Sequence, residues 1–220
     1  MAILSIRPVD TTPYTAAFTR LCRASSVYQG HGWGYARFTA NGWRAHHSIQ
    51  PIWNDSPARI GNTRLLIMHA RSAFRDADIR VENNMPFIHE QMAFAFNGEL
   101  SGVRIREQGR IGAEKLFNVS RRFRQLPLQE AVSKTVRIMK RNTRHIRGMN
   151  MMLSDGRHLV LSSCFTENPD YYTVHFRREP DVAVICSEPL DNGPWETLER
   201  DRIIEFTATE HHLNRRETCL

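Results

Sequence analysis

The chain has 220 residues, enough to build one α/β or α+β domain with a real core and cramped for two. Hydrophobic residues make up 41% and charged residues 24%, which sets aside disorder, and no apolar run reaches the roughly 18 residues of a membrane-spanning helix. A formal charge of +7 leaves room for an anionic ligand, an acidic partner or nucleic acid.

Residues 2–7, AILSIR, suit a short strand that Pro8 stops. The next segment, TPYTAAFTRLCRASS, spaces Ala17, Phe18, Leu21 and Cys22 at helical intervals. GHGWGYARFTANGWRAHH reads as two strands joined by a type I′ turn at Asn41-Gly42. RLLIMHARSA is almost continuously apolar, as for a strand covered on both faces. QMAFAFNGEL predicts another strand, ending at Asn97-Gly98. Helices are expected over 112–124 and 128–144, parted near Pro127. MNMMLSDGRHLVLSSC predicts a hairpin turning at Asp155-Gly156, and YYTVHFRR, VAVICSEPL and RIIEFTAT supply the last strands. Strands in blocks with helices grouped between them indicate α+β layering rather than a βαβ repeat.

The start MAILSIRPVD has no basic segment followed by a long apolar stretch, so no secretory leader is expected. Cys22, Cys164, Cys186 and Cys219 are scattered without a CxxC or a Cys/His ladder, which suits reduced thiols in a cytoplasmic protein. His46-His47 and His211-His212 are adjacent pairs, whose side chains on a strand point to opposite faces, so no metal site is expected. The stretch Arg121–Arg147 is rich in Arg and Lys. It reads as a solvated helix face, or else as a face for a partner or nucleic acid, although no recognised RNA- or DNA-binding motif is present.

Four short segments carry residue types that are unusual for plain strands. His31-Gly32-Trp33-Gly34 sets two glycines around a bulky aromatic, allowing close backbone approach beside a large packing group. His69-Ala70-Arg71 ends an apolar strand with a guanidinium, costly inside unless it meets an anion; a structural Asp or Glu or a ligand carboxylate would both serve. Asn83–Phe87, NNMPF, is a polar turn leading into an apolar anchor. Phe96-Asn97-Gly98 offers an amide side chain and a glycine N–H that can converge on one oxygen, or a simple hairpin turn.

In this order and spacing the segments resemble the class II glutamine amidotransferases, particularly their small stand-alone bacterial-type members. HGWG at 31–34, HARSA at 69–73, NNMPF at 83–87, AFNGEL at 95–100, GAEKLF at 112–117, NMMLSDGR at 150–157 and SEPL at 187–190 carry the likeness across nearly the whole chain. The resemblance implies a single domain over residues 1–220, with the four-layer αββα sandwich of Ntn-hydrolase type. In that family an N-terminal cysteine attacks the glutamine side-chain amide with its own α-amine as base, giving a γ-glutamyl thioester and ammonia. The likeness assigns Arg71 to the substrate carboxylate, with Ser72, Phe74 and Gly112 also at the substrate. Asn97 and Gly98 fall at the oxyanion hole. The implied ligand is glutamine or another small carboxylate; a synthetase or complex subunit is a possible protein partner. No cofactor, metal, membrane or nucleic acid is expected.

The chain also departs from that pattern. Ala2 stands at the nucleophile position, and a methyl group forms no thioester. Gly112 stands where the family has the acid that grips the substrate ammonium, and Met85 and Phe96 replace two histidines of the NTHPF and AHNG segments. Two readings follow. Either the protein has lost glutamine hydrolysis and serves as a ligand-binding or partner subunit, or it is a glutaminase subunit in which Ala2 replaces a catalytic cysteine.

Overall fold

The computed structural model describes residues 1–55 and 57–220. Its first sheet orders seven strands as β11-β9-β10-β1-β4-β2-β3, where β1 is Ala2–Asp10, β2 Trp33–Thr39, β3 Gly42–Ser48, β4 Asn62–Ala70, β9 Val174–Arg178, β10 Val182–Cys186 and β11 Glu196–Leu198. The second orders six as β13-β12-β8-β7-β6-β5, from β5 (Phe87–His89), β6 (Met92–Val103), β7 (Thr143–Ser154), β8 (His158–Ser163), β12 (Arg202–Ala208) and β13 (Leu213–Cys219). Every pairing is antiparallel.

Alternation along three neighbouring strands divides the interior. Ala2 and Leu4 of β1, Leu65 and Ile67 of β4, and Ala183 and Ile185 of β10 join the large core shared with the second sheet. Met1, Ile3, Leu66, Met68, Val184 and Cys186 face the other way, onto Phe18 and Cys22 of helix α1 (Thr12–Ala24). Buried residues of α2 (Gly112–Arg121) and α3 (Leu128–Asn142) pack against the second sheet, where Phe94 of β6 stacks on Phe117 of α2. The layers are therefore α1, sheet, sheet, α2–α3, an αββα sandwich.

Several local expectations are corrected. Pro8 does not stop β1; it lies where the β1–β4 register shifts between Leu4 and Val9, so its missing N–H breaks no regular ladder there. The β2–β3 turn centres on Ala40-Asn41, with Thr39 opposite Gly42, and only Gly42 has a positive φ, 88°. A type I′ turn needs positive φ at both central residues, so this turn is of another type, and its positive-φ glycine is the first residue after it. Asn97-Gly98 neither turns nor ends its strand: β6 runs through it, with Asn97 opposite Asn150 and Gly98 opposite Met149. Tyr171 and Tyr172 lie in a short helix, α4 (Pro169–Tyr172), because Pro169 cannot donate to a ladder but suits a helix start. β10 ends at Cys186, leaving the SEPL segment in a loop. The strands β5, β11 and β13 carry no legible signal; the first two have three residues each, and β13 buries only Leu213.

Candidate functional site

Two of the four unusual segments are sewn together by the backbone. His31 N–H donates to Arg71 O at 3.0 Å and Arg71 N–H to Gly32 O at 2.9 Å, while the His31 ring accepts from Ala73 N–H at Nδ1, 2.9 Å. That bond leaves the ring proton on Nε2, 3.5 Å from Asp76. Gly32 and Gly34 exist for close approach. A Cβ on Gly32 would lie 2.3 Å from the Asn84 amide, and one on Gly34 would lie 2.6 Å from Met85 O. Between them Trp33 is 1% exposed and donates to Asp55 at 3.1 Å.

Arg71 follows β4 with the parity of Leu65 and Ile67, toward the space between the sheets. The residue is only 6% exposed, and its Nη1 donates to Asp78 O at 2.9 Å. Among the described residues no carboxylate lies within ion-pairing distance of it. The structure therefore leaves a buried cation held by a carbonyl and by no acid. Burial lowers its pKa, with the Asp78 carboxylate opposing from farther away.

Asn97 and Gly98 arrive from the second sheet. Met149 N–H turns to Cys164 O of the β8 side, so β7 presents Asn150 rather than Met149 to β6. By the alternation of an antiparallel ladder, the N–H of Gly98 then points away from β7, and β5 pairs with β6 only from Met92 to Phe94. The Asn97 amide makes no hydrogen bond among the described residues. Asn150, beside it, is fully engaged: its amide nitrogen donates to Tyr172 O at 2.6 Å and its oxygen accepts from Cys164 N–H at 3.0 Å.

These groups border one cavity of about 540 Å³, lined by residues of both sheets and of α1. Arg71, Ser72, Phe74, Asn97, Gly98 and Gly112 all line it, so every sequence-picked binding residue converges there. Met85 and Phe96 line it too, yet the space stays open. Ser72 and Phe74 are exposed, Phe74 at 64%. Ala2 does not line the cavity: it is fully buried between Ile67 of β4 and Ile185 of β10. Met1 does, with its amine donating to Met68 O at 2.9 Å.

Sequence reasoning gave no role to His69, which also lines the cavity; its signal was a histidine closing an apolar strand. Its Nδ1 is buried without a partner, while the ring bonds the Phe96 backbone across the sheets. Burial first, then the Met1 amine and Arg71, push its pKa down from 6.5 to about 3. The folded state thus holds a neutral ring that the unfolded chain protonates. The stability this confers is fully present above about pH 6.5 and erodes as pH falls toward 3, by about 1.4 kcal/mol per unit. Urea unfolding of wild type and His69→Gln from about pH 7.5 to about 4 should show their stability difference moving against the wild type as pH falls. A pH-independent difference would mean that the ring titrates alike in the folded and unfolded states.

No group of three or more His, Cys, Asp or Glu among the described residues could hold a metal ion. All four cysteines are free; Cys22, Cys164 and Cys186 are buried, and burial pushes the Cys22 thiol up to about 12, so it is a poor nucleophile. No described helix is long and apolar enough to cross a membrane.

No protein-family model matches the chain, and no curated protein sequence matches it significantly. Solved structures do. Glutamine phosphoribosylpyrophosphate amidotransferase from B. subtilis superposes with a TM-score of 0.70 at 12% identity, over 98% of this chain and 48% of that one. The chain thus spans about half the length of that enzyme. A glutamine aminotransferase class-II domain protein from Silicibacter pomeroyi gives 0.64 at 19% identity, over 100% of this chain and 98% of that one. A predicted glutamine amidotransferase from Pseudomonas aeruginosa gives 0.61 at 18% identity, over 96% and 94%. At these identities the likeness is one of fold: the sandwich is of Ntn-hydrolase type, as in class II glutamine amidotransferase domains.

Proposed function

We propose that this protein is a class II glutamine amidotransferase-like subunit, a single domain over residues 1–220, that no longer hydrolyses glutamine. In this reading it holds a small carboxylate ligand and acts in the cytoplasm beside a protein partner. One observation carries it: the cavity keeps Arg71, Asn97 and Gly98, yet the nucleophile position is a sealed methyl group. Arg71 would grip a carboxylate with charge-assisted bonds, and the Asn97 amide with the Gly98 N–H would receive a second oxygen. The two thiols that line the cavity, Cys22 and Cys186, are both buried, and the Cys22 thiol is held protonated. The retained donors equally favour a second reading, a glutaminase subunit with Ala2 in place of cysteine.

Ammonia release separates the two. The purified protein offered glutamine should liberate ammonia no faster than buffer, and Ala2→Cys should stay inactive and unlabelled by a glutamine-like electrophile. Turnover by the wild type at the rate of a cysteine enzyme overturns the proposal, whereas an active Ala2→Cys variant establishes the second reading.

A further inference from the structure

The cavity buries positive charge, while its unpaired acids are exposed. Arg71 is a buried guanidinium without an acid partner. Met1 contributes an amine. Gly112 and Ala113, the first residues of α2, line the wall, and Ile111 before them provides no side-chain cap, so the positive end of the helix meets the cavity. The acids that line or flank it are either paired or exposed. Glu114 in the first turn of α2 is clasped by Arg110, with bonds of 2.6 to 3.1 Å from the guanidinium. Glu99 pairs with Arg147 at 3.1 Å. Glu188, beside Tyr171 and Cys22, and Asp78, which gives Arg71 its carbonyl, also line the cavity; both are exposed, and neither carries an ion pair among the described residues. At Gly112 itself there is room: an added Cβ would meet nothing within 4 Å.

We infer that the cavity selects a short dicarboxylate lacking an α-ammonium, not an amino acid. This rests on the proposed reading of the cavity as a carboxylate site and names its ligand class. One carboxylate meets Arg71, where it supplies the anion the buried guanidinium lacks. The other takes the remaining donors, the Asn97 amide, the Gly98 N–H and the start of α2. An ammonium on the same skeleton would find no free acid at Gly112 and would face Arg71 and the helix end, a repulsion that discriminates against it.

Glutarate and L-glutamate test this directly, because they share a carbon skeleton and both carboxylates and differ only in the ammonium. Isothermal titration of the full chain should show glutarate binding at least about ten-fold tighter than L-glutamate or L-glutamine. Arg71→Met should abolish the heat, and Gly112→Asp, which the open space accommodates, should narrow or reverse the order. Tighter binding of L-glutamate than of glutarate by the wild type overturns the inference, as does the absence of any diacid binding. If Arg71→Met fails to fold, the wild-type ligand series and Gly112→Asp still decide. Ammonia measured in the same glutamine samples keeps the two proposals apart. Turnover sinks the loss of hydrolysis, while amino-acid preference without turnover sinks only the dicarboxylate.

Discussion

Gly98→Ala should cost about 3 kcal/mol of stability, by urea unfolding, and should remove ligand binding with it. A methyl group there would lie 2.1 Å from the Gly148 carbonyl oxygen, a backbone atom that no rotamer change can move. Gly148 has nowhere to retreat, because its own Cβ position would be 2.3 Å from the Tyr172 ring. Tyr172 is in turn pinned through its carbonyl by Asn150 at 2.6 Å. The methyl therefore separates β6 from β7 at the corner that presents Asn97 and the Gly98 N–H. Gly112→Ala is the contrast: with nothing within 4 Å of its Cβ, it should change stability by less than about 1 kcal/mol. Equal losses from both substitutions would show that the close approach at Gly98 is not what requires a glycine there.

Trp33→Ala should be as severe, about 3–5 kcal/mol, since it empties a site that is 1% exposed and removes a donor to Asp55. The indole packs beside the rings of Tyr35 and His46, at centroid distances of 5.9 and 5.4 Å, and the flanking glycines bring Ser48, Asn84 and Met85 close around it. Its loss loosens the strand that hydrogen-bonds Arg71 through the Gly32 carbonyl. Trp33→Phe keeps most of the packing and loses the hydrogen bond, so it should fall in between. If Phe and Ala cost the same in thermal or urea unfolding, the bond to Asp55 outweighs the packing, contrary to expectation.

These two residues illustrate what a local reading captures. The need for glycine around Trp33 was legible, because a large aromatic between two glycines on a strand has few other uses. The Asn97-Gly98 pair misled in one respect: the dipeptide favours a turn, but pairing with Asn150 and Met149 holds it extended, and its donors reach the cavity from mid-strand. Pro8 misled similarly, since a proline ends a regular ladder but fits a strand whose register slips. Gly148, Tyr172 and Asn150, which brace the corner, gave no signal, because their role depends on contacts between segments far apart in the chain.

The sequence by itself determined the α+β layering, the apolar runs of strands covered on both faces, and the absence of a thiol at Ala2 and of an acid at Gly112. All of these follow from the identity and spacing of neighbouring residues. Only the tertiary structure decided that residues 71, 97–98 and 112 border one open cavity, and that Arg71 stands there without an acid. The reason is physical: periodicity records which face of an element is apolar, whereas the pairing of a buried charge depends on which faces meet through space.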